Sequence, residues 1–214
     1  LESENVADQD VIILQNDDST FGPEFVESLV SAASTEQAVI GSVAINATTG
    51  RILHANLKFN KIRARYDYLH YGKPINELAD KLYESDVLKG RGVAYPVRVV
   101  RRIGLLDESL PHYKSDHEWA HRAKTMGYGV YVIPGAISET ILDTQKQVSS
   151  DAPFQSFWRV LVSRRSPKNI VDTVKFFFIC FRPIPATYYC LVDISRTSLA
   201  SLIAAILYKL KFRR

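Results

Sequence analysis

The hydrophobic pattern of the chain begins with Val11–Leu14 (VIIL), four consecutive apolar residues, three of them β-branched. Such a run suits a strand buried on both faces of a mixed or parallel sheet. It passes straight into "QNDDST", after which Pro23 stands where a first helical turn tolerates it, and Phe25, Val26, Leu29 and Val30 recur at helical spacing. Residues 38–46 (AVIGSVAIN) predict a second strand, closed by the turn-forming "ATTG" and followed by a short strand in "RILHANLKF". Over 60–88 the periodicity is poor and Tyr, Arg and Lys are frequent, which predicts surface loops with one short helix at 76–83. "GRGVAYPVRVVRRIGLLDESL" then predicts a Gly-rich strand, a short helix over 96–103 and a turn at 104–108.

In "SDHEWAHRAKTMGYGVYVIPGA", Ser115 with Glu118 three residues on has the form of a capping box. The helix it opens runs to Met126, Gly127 stops it, and 130–133 predicts another strand. Strands alternating with helices make an α/β layered domain. Past Pro153 the pattern changes to helices with large apolar faces. In the last of these, Leu199, Leu202, Ile203, Ile206 and Leu210 follow helical spacing and end in "YKLKFRR". One apolar stripe with a cationic end suits a helix lying in a membrane interface, or one packed on the body or on a second subunit.

Charge sharpens the division. Residues 154–214 carry eleven Lys and Arg against Asp172 and Asp193, leaving 16 basic and 21 acidic side chains for residues 1–153. A mildly acidic body therefore precedes a strongly basic tail, a composition that attracts anionic surfaces. No zinc, helix-turn-helix or RNP-like signature accompanies it, so nucleic acid is not an expected partner. Cys180 and Cys190 show neither CxxC nor metal spacing, as in a reduced cytosolic chain. The opening "LESENVADQD" has no basic and apolar leader pattern, and no run of about 18 apolar residues predicts a transmembrane helix.

Two clusters could carry chemistry. Asp17 and Asp18 stand at the C-terminal end of a strand, where open α/β sheets bind ligands. Paired carboxylates there call for a cation, and Mg²⁺ or Mn²⁺ held by one or two acids and substrate phosphates is one solution. An Asx turn capping the next helix is the other. The second cluster, "GLLDESLPHYKSDHEWAHR", gathers Asp107, Glu108, Asp116 and Glu118 with His112, His117 and His121. Asp116 could take a proton from an incoming hydroxyl, although helix-capping chemistry also favours acids in a first turn. No HExxH supports the histidines as metal ligands.

Together the clusters carry a resemblance. "VIILQNDDST" with "FGPEFVESLV" resembles the strand, Asx-rich metal motif and following helix of family 2 glycosyltransferases with the GT-A fold. "GRGVAYPVRVVRRIGLLDESLPHYKSDHEWAHRAKTMGYGVYVIPGA" resembles that family's acceptor-side segment: a Gly, a short run ending in Arg, then GxxDE, an aromatic, an acidic pair and RA…G. Two motifs in the family's order, about a hundred residues apart, are more specific than either alone. The likeness spans roughly residues 10–136, more loosely the tail, and within the family looks nearest to rhamnosyl- and related transferases of surface polysaccharides.

The resemblance implies an α/β fold: a truncated GT-A-like mixed sheet flanked by helices over residues 1–153, then a helical basic tail over 154–214. It implies Asp116 as catalytic base and Asp18 as ligand of a divalent metal (Mg²⁺ or Mn²⁺), with Asn16, Asp17, Gly92, Trp119 and Arg122 on the substrate side. The implied reaction is inverting transfer from a nucleotide-diphosphate sugar to a polysaccharide or lipid-linked acceptor, on a cytoplasmic protein peripheral to the inner face of the cell membrane. Departures are visible as well. Ser115 replaces the first acid of the acidic pair, and "ISETIL" offers Glu139 where the family's metal-binding His is usual. The family's N-terminal nucleotide-binding portion has no counterpart. A non-catalytic fragment, or the partner subunit of a split transferase, working with an N-terminal partner chain or as a homo-oligomer, is the alternative.

Overall fold

The computed structural model describes residues 6–110, 114–140, 161–163, 166 and 168–211. These divide into two compact units. The first takes in the described residues up to Phe59, then Tyr66–Leu106, then Asp116 to Thr140; the second takes in Asn60–Arg65, the described residues of 107–115, and those after 160. The boundary expected at 153, and His112, lie outside the described residues.

The first unit is the expected mixed sheet flanked by helices. Its strands are β1 (Val11–Leu14), β2 (Ser19–Phe21), β3 (Val39–Asn46), β4 (Ile52–His54), β5 (Leu57–Asn60), β6 (Arg65–Tyr68), β7 (Tyr83–Glu84), β8 (Val93–Pro96) and β9 (Val130–Thr140). The main sheet runs β1-β8-β3-β9-β2, with β4 on β3 and β7 on β9, while β5 and β6 pair separately. Within the main sheet, among the described residues, β3 and β9 run parallel and the other pairs antiparallel.

Strand alternation sends the two sides of β3 into two cores. Val39, Val43 and Ile45 join Val93, Val130 and Val132 beneath the helices α2 (Val97–Ile103) and α3 (Ser115–Thr125), whose Val99, Val100, Ile103, Trp119, Ala120 and Ala123 are buried there. Ile40 and Ala94 meet Phe25, Leu29 and Ala33 of helix α1 (Phe25–Glu36) on the other side. Lys124 of α3 is tied to Glu84 at 2.6 Å and to Asp86 at 2.5 Å, and Lys58 of β5 reaches the same acids.

Four expectations change. Β1 is an edge strand, not a doubly buried one: it ends the sheet order, pairs only with β8 among the described residues, and leaves Leu14 exposed. Residues 76–83 form no α-helix; a 3₁₀ turn at Ile75–Glu77 gives way to β7 because Tyr83 and Glu84 pair with Val132 and Tyr131. Β9 does not stop at 133 but runs on through Pro134 and Gly135, taking three extra residues between the pairs Ser42–Ile133 and Val43–Ile137. Finally, α3 opens at Ser115, and Glu118 turns both carboxylate oxygens onto Arg122 where a capping box was expected.

The second unit is helical, with α4 (Ile170–Cys180) and α5 (Pro183–Lys211). Asn169 caps α4 by accepting from the Asp172 backbone N–H at 3.1 Å. Phe176 and Phe177 of α4 and Ala186, Tyr189 and Cys190 of α5 are buried, the Phe177 and Tyr189 rings standing 5.7 Å apart. Lys114 donates to the Thr173 hydroxyl, and burial pushes its ammonium down to about 8 against the pull of Asp193 and Asp172. The two cysteines form no disulfide, and among the described residues no helix is long and apolar enough to cross a membrane.

Candidate functional site

The end of β1 and the start of α3 converge on one glycine. The Gly90 backbone N–H donates to Asp116 Oδ2 at 3.0 Å, and a Cβ placed on Gly90 would stand 3.8 Å from Asn16 Oδ1 and 4.0 Å from Asp116 Oδ2. Two stretches a hundred residues apart in sequence are thus brought within a side chain's width of each other. Asp116 Oδ1 accepts from the His117 N–H at 2.8 Å, so backbone donors orient both of its oxygens. Buried Tyr95 lies close enough that its phenol, raised first by burial, is raised further by the Asp116 charge.

The segment that carries Gly90 is locked from below. Gly92 donates to the Leu14 carbonyl at 3.1 Å and accepts from the Ser42 N–H at 2.8 Å, joining β1 to β3. The Arg91 carbonyl accepts from the Ser42 and Ser138 hydroxyls. Arg91 itself points its guanidinium at Asp18, with Nη2 3.9 Å from Oδ2, and Lys89 lies over the Tyr68 ring at 4.7 Å. A carboxylate at 3.9 Å with more than half its side chain in water is a weak ion pair, so Asp18 keeps the capacity to meet another cation.

The expected site residues part into two groups. Asn16, Asp17 and Asp18 are exposed and Asp116 is half-buried, with Asn16 and Asp116 both flanking Gly90. Gly92, by contrast, is buried between Phe25, Ser42 and Gln15, and what it supplies is backbone shape. Trp119, expected on the substrate side, is 2% exposed, stands edge-on to Tyr95 at 4.7 Å and donates Nε1–H to the Gly104 carbonyl at 2.8 Å, so in this structure it packs in the core. The Arg122 guanidinium, expected on the same side, donates to Glu118 and to the Ile103 and Leu105 carbonyls and so braces the α2–α3 turn.

For a divalent metal the donor set is thin. Among the described residues no group of three or more His, Cys, Asp or Glu could hold an ion. Asp18 remains, and Glu139 stands across β2 and β9 from Thr20, two residues on from Asp18. One or two carboxylates fit Mg²⁺ or Mn²⁺ only when substrate phosphates complete the shell.

Sequence reasoning missed Arg91 and His54. His54, in β4, is 5% exposed, and among the described residues its buried Nε2 has no hydrogen-bond partner, nor have the two amide atoms of Gln15. Burial first, then the charges of Lys89, Arg91 and His117, hold its imidazole down to about 3. The unfolded chain therefore takes up a proton near pH 6.5 that the folded chain refuses. Stability from this group is intact above that pH and is lost as pH falls towards 3. Between pH 7 and pH 4.5 the loss should be about 2–3 kcal/mol. Urea unfolding of the wild type and His54→Gln at both pH values checks it: the variant should show a shallower acid limb by that amount, and parallel limbs would remove His54 as the cause.

No protein-family model and no curated protein matches the chain. Among solved structures it is similar to the crystal structure of GalNAc-T7 with UDP, GalNAc and Mn²⁺, at 11% identity and a TM-score of 0.48 over 80% of this chain and 35% of that one. The chain thus spans about a third of that protein. A likeness this distant assigns neither family nor activity.

Proposed function

We propose that the first unit is built for inverting glycosyl transfer from a nucleotide-diphosphate sugar to a saccharide or lipid-linked acceptor. The observation that carries this reading is Gly90, where Asn16 and Asp116 meet: the two motifs of the family 2 resemblance fold onto one spot. In the reaction Asp116 takes the proton of the acceptor hydroxyl, whose oxygen bonds to the anomeric carbon. The carbon–oxygen bond to the diphosphate breaks on the opposite face, and the diphosphate departs with the electron pair. Arg91 supplies a fixed positive charge beside Asp18, on the side where that charge develops. A Mg²⁺ or Mn²⁺ ion held through Asp18, with Asn16 and Asp17 at its margin, would neutralise the diphosphate when bound.

Calorimetry of a nucleoside diphosphate with Mn²⁺ tests the reading. The wild-type chain should bind at least about tenfold more tightly than Asp18→Ala, a difference of roughly 1.4 kcal/mol. Equal binding by both would sink the metal role of Asp18.

A specific observation favours a second reading, that of a subunit or fragment completed by another polypeptide. Β1 is wholly apolar yet sits at the sheet edge, where natural proteins place charge, proline or a cover. Its outer edge, unpaired among the described residues, suits an added strand from a partner chain. Heat from neither protein in the same titration supports this reading over a self-sufficient transferase.

A further inference from the structure

The second unit carries a face that the transfer reading does not use. Along α5, Ile184, Tyr188, Leu191, Leu199, Leu202, Ile203 and Ile206 are all exposed, Ile184 to 86%. At 100° per residue they fall within an arc of about 120°, over a length of about 33 Å. Two short bridges tie a loop distant in sequence to the same helix: the Tyr188 hydroxyl donates to the Ile62 carbonyl at 2.9 Å, and Arg196 donates to the Arg63 carbonyl at 3.4 Å. That loop reads Asn60-Lys61-Ile62-Arg63-Ala64-Arg65 and leaves Ile62 81% exposed beside the exposed Lys61.

The charges are sorted. The only acids of α4 and α5 are Asp172, which is buried, and Asp193, which is paired with Arg196. Lys168, Lys175 and Arg182 are exposed, and the sequence closes with two Lys and two Arg in "YKLKFRR". An exposed apolar stripe beside cations, with the helix acids withdrawn, matches an anionic bilayer surface: acyl chains accept the stripe and headgroups accept the cations.

We infer that α5 and the 60–65 loop form a membrane-docking face that lies on anionic lipid, with Ile62 and the α5 stripe entering the headgroup boundary. The inference is independent of the transfer reading, since none of these residues belongs to the candidate site.

Flotation of the full chain with phosphatidylcholine vesicles, with and without phosphatidylglycerol, is the test. At low salt the anionic vesicles should carry at least about tenfold more protein than neutral ones, and high salt should remove the excess. Ile62→Asp, at an exposed loop tip where the fold is indifferent, and Leu199→Asp should each lower binding about tenfold. Met126→Asp, an exposed apolar position of the first unit, should leave it unchanged. The proposal is overturned if neutral and anionic vesicles bind alike, or if Ile62→Asp floats as the wild type does. It also falls if no vesicle is bound and Leu199→Asp converts a dimer to a monomer in sedimentation, which would make the face a contact between copies.

Discussion

Gly92→Ala should lower the unfolding free energy by about 2–5 kcal/mol, a large share of the 5–15 kcal/mol typical of a domain. Gly92 sits at φ +87°, where an L side chain is strained, and its neighbours leave no room. An added Cβ would stand 2.3 Å from Phe25 Cζ, 2.9 Å from Ser42 Oγ and 3.0 Å from Gln15 Oε1. Phe25 cannot swing clear cheaply, because its ring is buried and stacked on Phe21 at 4.6 Å. Ser42 is held by its bond to the Arg91 carbonyl. The comparison that isolates packing from strain is Gly72→Ala, at φ +78° with nothing within 4 Å of its Cβ, which should cost only about 1–2 kcal/mol. Urea midpoints of the two variants, and of Gly92→Ala with Phe25→Leu, give the answer: the second substitution should recover part of the loss. Matching midpoints for Gly72→Ala and Gly92→Ala would mean that the pocket yields.

The same glycine shows how far the sequence carried. Periodicity located α1, whose Phe25, Leu29 and Ala33 pack on one side of the sheet, while β1 was found by its apolar run and α3 by its start and stop residues, its Trp119, Ala120 and Ala123 packing on the other side. Β2 was invisible, since Ser19–Phe21 has no pattern of its own and is a strand only because Ser138–Thr140 pairs with it. Β9 looked finished at Pro134 for the opposite reason: Pro and Gly read as stops, yet a bulge lets the strand pass through them and rejoin β3. At the candidate site, the order and spacing of the two motifs singled out Asn16 and Asp116, which the fold brings to one glycine, but not Arg91 and His54. A lone Arg between two glycines and a lone His on a short strand carry little local signal. Their meaning comes from β3 and β8, which set Arg91 beside Asp18 and bury His54 near Lys89 and Arg91. Trp119 and Arg122, placed on the substrate side by the resemblance, have their donors engaged by the α2–α3 turn, which no local pattern foretells.

Asp116→Asn should abolish most transfer while leaving the fold and donor binding in place. The carboxylate accepts two backbone N–H bonds, from Gly90 and His117, and an amide can keep one of them by presenting its oxygen. The other N–H then faces an NH₂ group, a loss of about 1–3 kcal/mol in stability. Chemistry suffers more, because the amide cannot take the acceptor's proton, and removal of a general base slows reactions by about 10²–10⁴-fold. Asp116→Glu separates position from charge: it keeps a carboxylate but drives it a methylene further, into the space beside Asn16 and Gly90, and a misplacement on the order of 1 Å can cost about 10²-fold. The measurement is release of nucleoside diphosphate from whichever nucleotide-diphosphate sugar the wild-type chain turns over in the presence of acceptor. Calorimetric affinity for the nucleoside diphosphate and Mn²⁺ is read in parallel. A rate for Asp116→Asn within about tenfold of wild type, with affinity unchanged, would remove Asp116 as the base. An equal loss of rate and affinity would instead show that its two backbone bonds matter only for holding the Gly90 segment in place.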